Sequence, residues 1–109
     1  MTGLTTISAG APIATLVNVF TVEPARQQEL VDVLVAATDE VIQRQPGFIS
    51  ANIHASLDGT RVVNYAQWES ADALQAMQSD PAAGEHMAAA ARLATYDPHL
   101  YTVASVHQR

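Results

Sequence analysis

Hydrophobic residues recur at two spacings along the chain. From Ile13 to Val22 they crowd together with β-branched neighbours over a length that suits a strand. Glu23-Pro24 then opens a stretch in which Leu30, Val31, Leu34, Ala37, Val41 and Ile42 repeat at helical spacing, with the proline tolerated in the first turn. Pro46-Gly47 stops that helix near Gln45. Phe48 to Leu57 and Thr60 to Glu69 read as two strands joined at Asp58-Gly59, a two-residue hairpin signal. Ser70 caps a short helix ending near Ser79. Asp80-Pro81, an N-cap residue followed by proline, starts another that runs to about Ala94. Tyr96-Asp97-Pro98 reads as a loop and Leu100 to Val106 as a last strand. The order β-α-β-β-α-β predicts an α+β fold, the ferredoxin-like split βαβ arrangement with an antiparallel sheet. Residues 1–12 are small and polar and read as a flexible N-terminal arm, leaving residues 13–109 as one domain.

The hairpin predicts which side chains share a face. If Leu57 pairs with Thr60, then Ile53 opposes Asn64, Ala51 opposes Ala66 and Ile49 opposes Trp68. One face is then apolar except for Asn64, with Trp68 at its end, and a bulge would shift the register. The first strand repeats the anomaly, because Asn18 alternates with Leu16, Phe20 and Val22. A buried amide without partners costs about 1–3 kcal/mol. Two such amides on apolar faces therefore predict a lined cavity between sheet and helices. Its expected walls are Leu16, Phe20, Ile53 and Ala66 from the strands, with Met87 and Ala90 from the alanine-rich helix, whose small side chains leave room for a flat ligand. Alanine is also simply the best helix former, and Trp68, Asn18 and Asn64 also fit a packed core with satisfied amides. The opposite face carries Phe48, Ser50, Asn52, His54, Val63, Tyr65 and Gln67, and is expected to pack on a second copy in a two-fold homodimer.

Composition narrows the partners. Five arginines, no lysine and 11 acidic residues give a formal charge of -6, which disfavours nucleic acid and anionic membranes. The absence of cysteine removes disulfides and thiolate metal sites, and no metal site is expected. No apolar run reaches the roughly 18 residues of a membrane span, and the first twenty residues lack a basic n-region, so a cytoplasmic location is the expectation.

Asn64-Tyr65-Ala66-Gln67-Trp68-Glu69-Ser70, preceded by Pro46-Gly47-Phe48, resembles the antibiotic biosynthesis monooxygenase family over about residues 13 to 107. Val17-Asn18-Val19-Phe20-Thr21-Val22 is similar to the first strand of its anthrone and phenol oxygenases from aromatic polyketide pathways. The resemblance implies a dimeric α+β barrel with one pocket per subunit. It also implies a monooxygenase that needs no cofactor, acting with O2 on a small polyketide-like aromatic and forming a quinone. Matching Asn, Asn and Trp positions are implicated in catalysis in such relatives, which carries over to Asn18, Asn64 and Trp68. The base is not evident; His86 is the candidate, since imidazole titrates near neutral pH, and it also reads as a surface residue of its helix. A haem-degrading branch is partly similar, with Asn18, Trp68 and His86 in the corresponding order, although only Arg92 on that helix would meet propionates. A third reading is a small-molecule-binding dimer without chemistry.

Overall fold

The structure, a computed structural model, describes residues 3–109. Among these, four strands and three α-helices form an open sandwich of one sheet and one helical layer. Strand β1 (Ala14–Val22) is followed by a single 3-10 turn at Pro24–Arg26 and helix α1 (Gln27–Glu40). A second 3-10 turn, Ile42–Arg44, leads into β2 (Phe48–Ala55), then β3 (Arg61–Trp68), α2 (Ala71–Gln78), α3 (Pro81–Ala91) and β4 (Ala94–Tyr101). The sheet order is β2-β3-β1-β4 and every pairing is antiparallel. This is the expected ferredoxin-like arrangement, with two helices in the second crossover. No helix among the described residues is long and apolar enough to cross a membrane.

Local chemistry explains the helix boundaries. Ser70 accepts the Ala73 N–H at 3.1 Å and so caps α2. Asp80 accepts the Ala82 N–H at 2.8 Å, with Pro81 behind it in the first helical position. The second Asp80 oxygen accepts from Gln45 Nε2 at 3.1 Å, which ties the start of α3 to the segment after α1. Leu30, Leu34 and Ala37 of α1 are buried as their spacing predicts.

Three expectations need correction. The last strand is Ala94–Tyr101, not 100–106, and Tyr96-Asp97-Pro98 lies inside it. Proline reads as a breaker, but β4 is an edge strand that pairs only with β1, where a residue lacking N–H is tolerated. Helix α3 accordingly ends at Ala91 rather than near residue 94. Second, Ile49 does not oppose Trp68. A bulge between Phe48 and Ser50 takes Phe48 off the opposite face, where the alternation puts it, to pair with Trp68, and leaves Ile49 exposed. The Phe48 ring meets the indole edge-on, centroids 5.4 Å apart. Third, the hairpin loop spans four residues. Ser56 N–H donates to the Arg61 carbonyl at 3.0 Å and Gly59 N–H to the Ser56 carbonyl at 3.2 Å. Asp58 accepts from the backbone and hydroxyl of Thr60 and from the Ser56 hydroxyl, and these bonds hold its carboxyl down to about 2. Lengthening the loop by one residue on each side preserves the register, so Ile53–Asn64 and Ala51–Ala66 pair as expected.

The arm is tied down. Residues 3–12 form neither helix nor strand, yet the Thr6 carbonyl accepts from the buried Gln67 side chain at 2.9 Å and the Thr5 hydroxyl bonds Asn52. Gly10 N–H reaches the Val103 carbonyl at 3.2 Å. The first two positions of the predicted arm lie outside the described residues.

Candidate active site

The apolar core is split in two. Leu16, Ile42, Ala66, Trp68, Met77 and Ala83 belong to one buried cluster. Phe20, Leu30, Leu34, Val62 and Ala90 belong to the other. The row of the sheet between them is Ile53–Asn64–Asn18–Pro98, so two carboxamides stand where continuous packing would otherwise run. A cavity of about 230 Å3 opens there, between the sheet and the helices. It is somewhat smaller than the roughly 300–1,000 Å3 usual for small-molecule sites, which suits a compact planar ligand.

Asn18 and Asn64 face each other directly across β1 and β3. Opposed Cβ atoms lie about 4.5–5.5 Å apart, so both amides can reach one ligand. Trp68 lies four residues from Asn64 on the same side of β3, about 13 Å along the strand at about 3.3 Å per residue. Its indole lines the same cavity. The Asn18 Oδ1, Asn64 Oδ1 and Trp68 Nε1 atoms are all buried without a hydrogen-bond partner. A fourth such atom, Thr15 Oγ1, lies on the other face of the sheet. Buried polar groups are ordinarily satisfied, and three orphans on one cavity wall leave donors and acceptors free for a ligand. Rotation of either carboxamide exchanges its acceptor for its donor, so each can take either role.

Of the residues predicted from sequence, Asn18, Asn64, Trp68, Leu16, Phe20, Ala66 and Met87 line the cavity. Ile53 and Ala90 do not, because both pack in the second apolar cluster, on its margin and in its interior. His86 is also off the wall. Its Nε2 lies 3.3 Å from Glu40 Oε2, bridging α3 to α1. The trio that the haem-degrading resemblance requires is thus not assembled on one wall.

Other residues outside the predicted set also contribute to the cavity wall. Thr38 lines the cavity from α1, its hydroxyl donating to the Leu34 carbonyl at 2.9 Å. Gln78 at the end of α2 and Tyr96 on β4 also line it, and both are exposed, so they mark the mouth. Thr38 follows Leu34 by four residues and was recoverable from helical spacing. Tyr96, which the sequence reads as either a pocket-rim residue or the lead-in to the last strand, lines the cavity from within β4.

Comparisons with known proteins identify the family. The family model described as antibiotic biosynthesis monooxygenase matches residues 13–92. The tetracenomycin-F1 monooxygenase of Streptomyces glaucescens is 49% identical over 83 residues, 76% of this chain and 74% of that protein. The crystal structure of the ActVA-Orf6 monooxygenase of Streptomyces coelicolor with nanaomycin D superposes with a TM-score of 0.80 at 36% identity, over 88% of this chain and 91% of that one. SnoaB of Streptomyces nogalater, a cofactor-independent oxygenase, superposes with a TM-score of 0.73 at 28% identity, over 88% of this chain and 97% of that one.

Proposed function

The chain belongs to the antibiotic biosynthesis monooxygenase family and is a monooxygenase; starting there, we propose that it oxidises an anthrone-type polyketide aromatic to a quinone with O2, using electrons from the substrate alone. The observation that carries this reading is the pair of opposed carboxamides and the indole, each with an unpartnered buried atom, on one wall of an otherwise apolar cavity. Relatives named for tetracenomycin F1 and solved with nanaomycin D support a fused-ring aromatic as the ligand.

Dioxygen is a ground-state triplet and reacts slowly with closed-shell molecules. A phenolate or anthrone enolate supplies an electron readily, so the protein's tasks are to position the ring, favour its anion and exclude water. Asn18 and Asn64 donate amide hydrogens to the substrate oxygens, which stabilises the enolate without titrating. Trp68 donates its indole N–H or packs on the ring face. The enolate carbon then forms a bond to one oxygen atom of O2. The resulting hydroperoxide loses water as the C–H proton leaves and the O–O bond breaks. One methylene and one O2 become one carbonyl and one water, with no external reductant.

We also assign the second sheet face to pairing with another copy. Val17, Val19, Val63 and Tyr65 are only half-buried there, beside the part that the arm covers. The test of function is oxygen uptake with dithranol, a tricyclic anthrone, using chelator-dialysed protein. Uptake above the protein-free rate supports the assignment. Quenching of Trp68 emission by the ligand without uptake would leave a binding protein only.

A further inference from the structure

One cavity residue is not required by the fold. Gly84 lies inside α3, its N–H donating to the Asp80 carbonyl at 2.9 Å, and its φ is not among the positive glycine values. A Cβ built on it meets no heavy atom within 4 Å. Gly47 shows the contrast. There φ is +85° and a Cβ would stand 2.5 Å from the Ala73 Cβ, so both backbone and packing demand glycine. Nothing local demands it at position 84, and glycine inside a helix weakens that helix relative to alanine. Yet Gly84 lines the cavity, one turn before Met87 and together with the exposed Gln78, Tyr96 and Pro98.

The route inward passes the same place. Pro98, Asn18 and Asn64 lie in one row on adjacent strands. At about 4.8 Å per strand, a planar ligand entering past Pro98 meets Asn18 first and Asn64 roughly 10 Å in. We propose that Gly84 is a specificity-determining position, whose missing side chain leaves clearance at the mouth and sets how wide a ring system reaches the Asn18–Asn64 pair. The inference rests on the cavity being the substrate site.

Trp68 is the only tryptophan and lines the cavity, so its emission reports binding whether or not turnover follows. The probes are danthron, a tricyclic quinone, and menadione, a bicyclic one. Gly84→Ala is expected to raise the melting temperature by roughly 2–6 °C, because the helix gains and nothing clashes. It should weaken danthron about threefold, a fraction of the factor of ten that 1.4 kcal/mol represents. Gly84→Leu should weaken danthron about tenfold or more while menadione stays within about twofold. Equal losses for both probes, or no loss for either, would overturn the proposal. So would failure of danthron to bind the wild-type protein. If the leucine variant does not fold, the alanine variant decides: higher melting temperature with weaker danthron binding supports the assignment, and unchanged binding overturns it. Oxygen uptake with dithranol is read separately. Size-selective binding without uptake would sink the oxygenase reading and leave the role of Gly84 standing.

Discussion

Replacing Asn64 with leucine should make the protein more stable and nearly inactive. The Asn64 Oδ1 is buried without a partner, between Ile53 on β2 and Asn18 on β1. An unsatisfied buried polar atom costs about 1–3 kcal/mol, and since the residue as a whole is half-buried the lower end applies. Leucine has similar size, lacks the orphan and adds apolar contact between the two halves of the core. The expected gain is about 1 kcal/mol, or roughly 4–8 °C in melting temperature for a domain of this length. The reaction loses a donor aimed at the developing oxyanion, which typically lowers kcat roughly 100- to 1,000-fold. Urea denaturation followed by Trp68 emission gives the first quantity, and an oxygen electrode with dithranol gives the second. A leucine variant that is less stable by about 1 kcal/mol, with kcat within about threefold of wild type, would refute the reasoning. Asn64 would then be an amide that the core needs and the chemistry does not.

Three further outcomes are expected. His86→Ala should leave kcat within about threefold and lose only a partly exposed cross-helix pair of about 0–1 kcal/mol, since His86 faces Glu40 and does not line the cavity; a fall of roughly 100-fold would restore it as the general base. Gly47→Ala should destabilise by at least about 2 kcal/mol in urea titration, from positive φ plus the clash with Ala73, and a neutral result would contradict the turn geometry. The Gln45 side chain first, then the Ala82 and Ala83 N–H groups, hold the Asp80 carboxyl below its usual 3.8. Its stabilisation of α3 is therefore present above about pH 4 and lost as pH falls through the depressed value. Melting curves in acid should fall more steeply for wild type than for Asp80→Asn, and parallel curves would remove the carboxylate from this role.

The sheet and its catalytic-looking row were legible because strand periodicity is strict. Once Asp58-Gly59 is taken as a turn, Ile53, Asn64 and Ala66 must share a face, Asn18 alternates with Leu16 and Phe20 in the same way, and a polar residue in that company is conspicuous. What escaped were features decided by tertiary context. The Ile49 bulge follows from turning Phe48 inward against Trp68, which no local propensity encodes. The strand through Pro98 exists because β4 pairs on one side only. The docking of the arm depends on Gln67, whose spacing marks it as an outward polar residue although it is 2% exposed. Met87 and Ala90 illustrate the same limit for helices, since an alanine-rich run does not say which small residue faces space.

The whole account stands or falls on what the carboxamide-and-indole cavity does to O2. Heavy-isotope dioxygen supplied to chelator-dialysed protein with dithranol, analysed by mass spectrometry, should give a quinone carrying one labelled oxygen per O2 consumed, with the rate collapsing in the Asn18→Ala, Asn64→Ala double variant. Label drawn from water instead, or a wild-type rate no faster than that double variant, would contradict it.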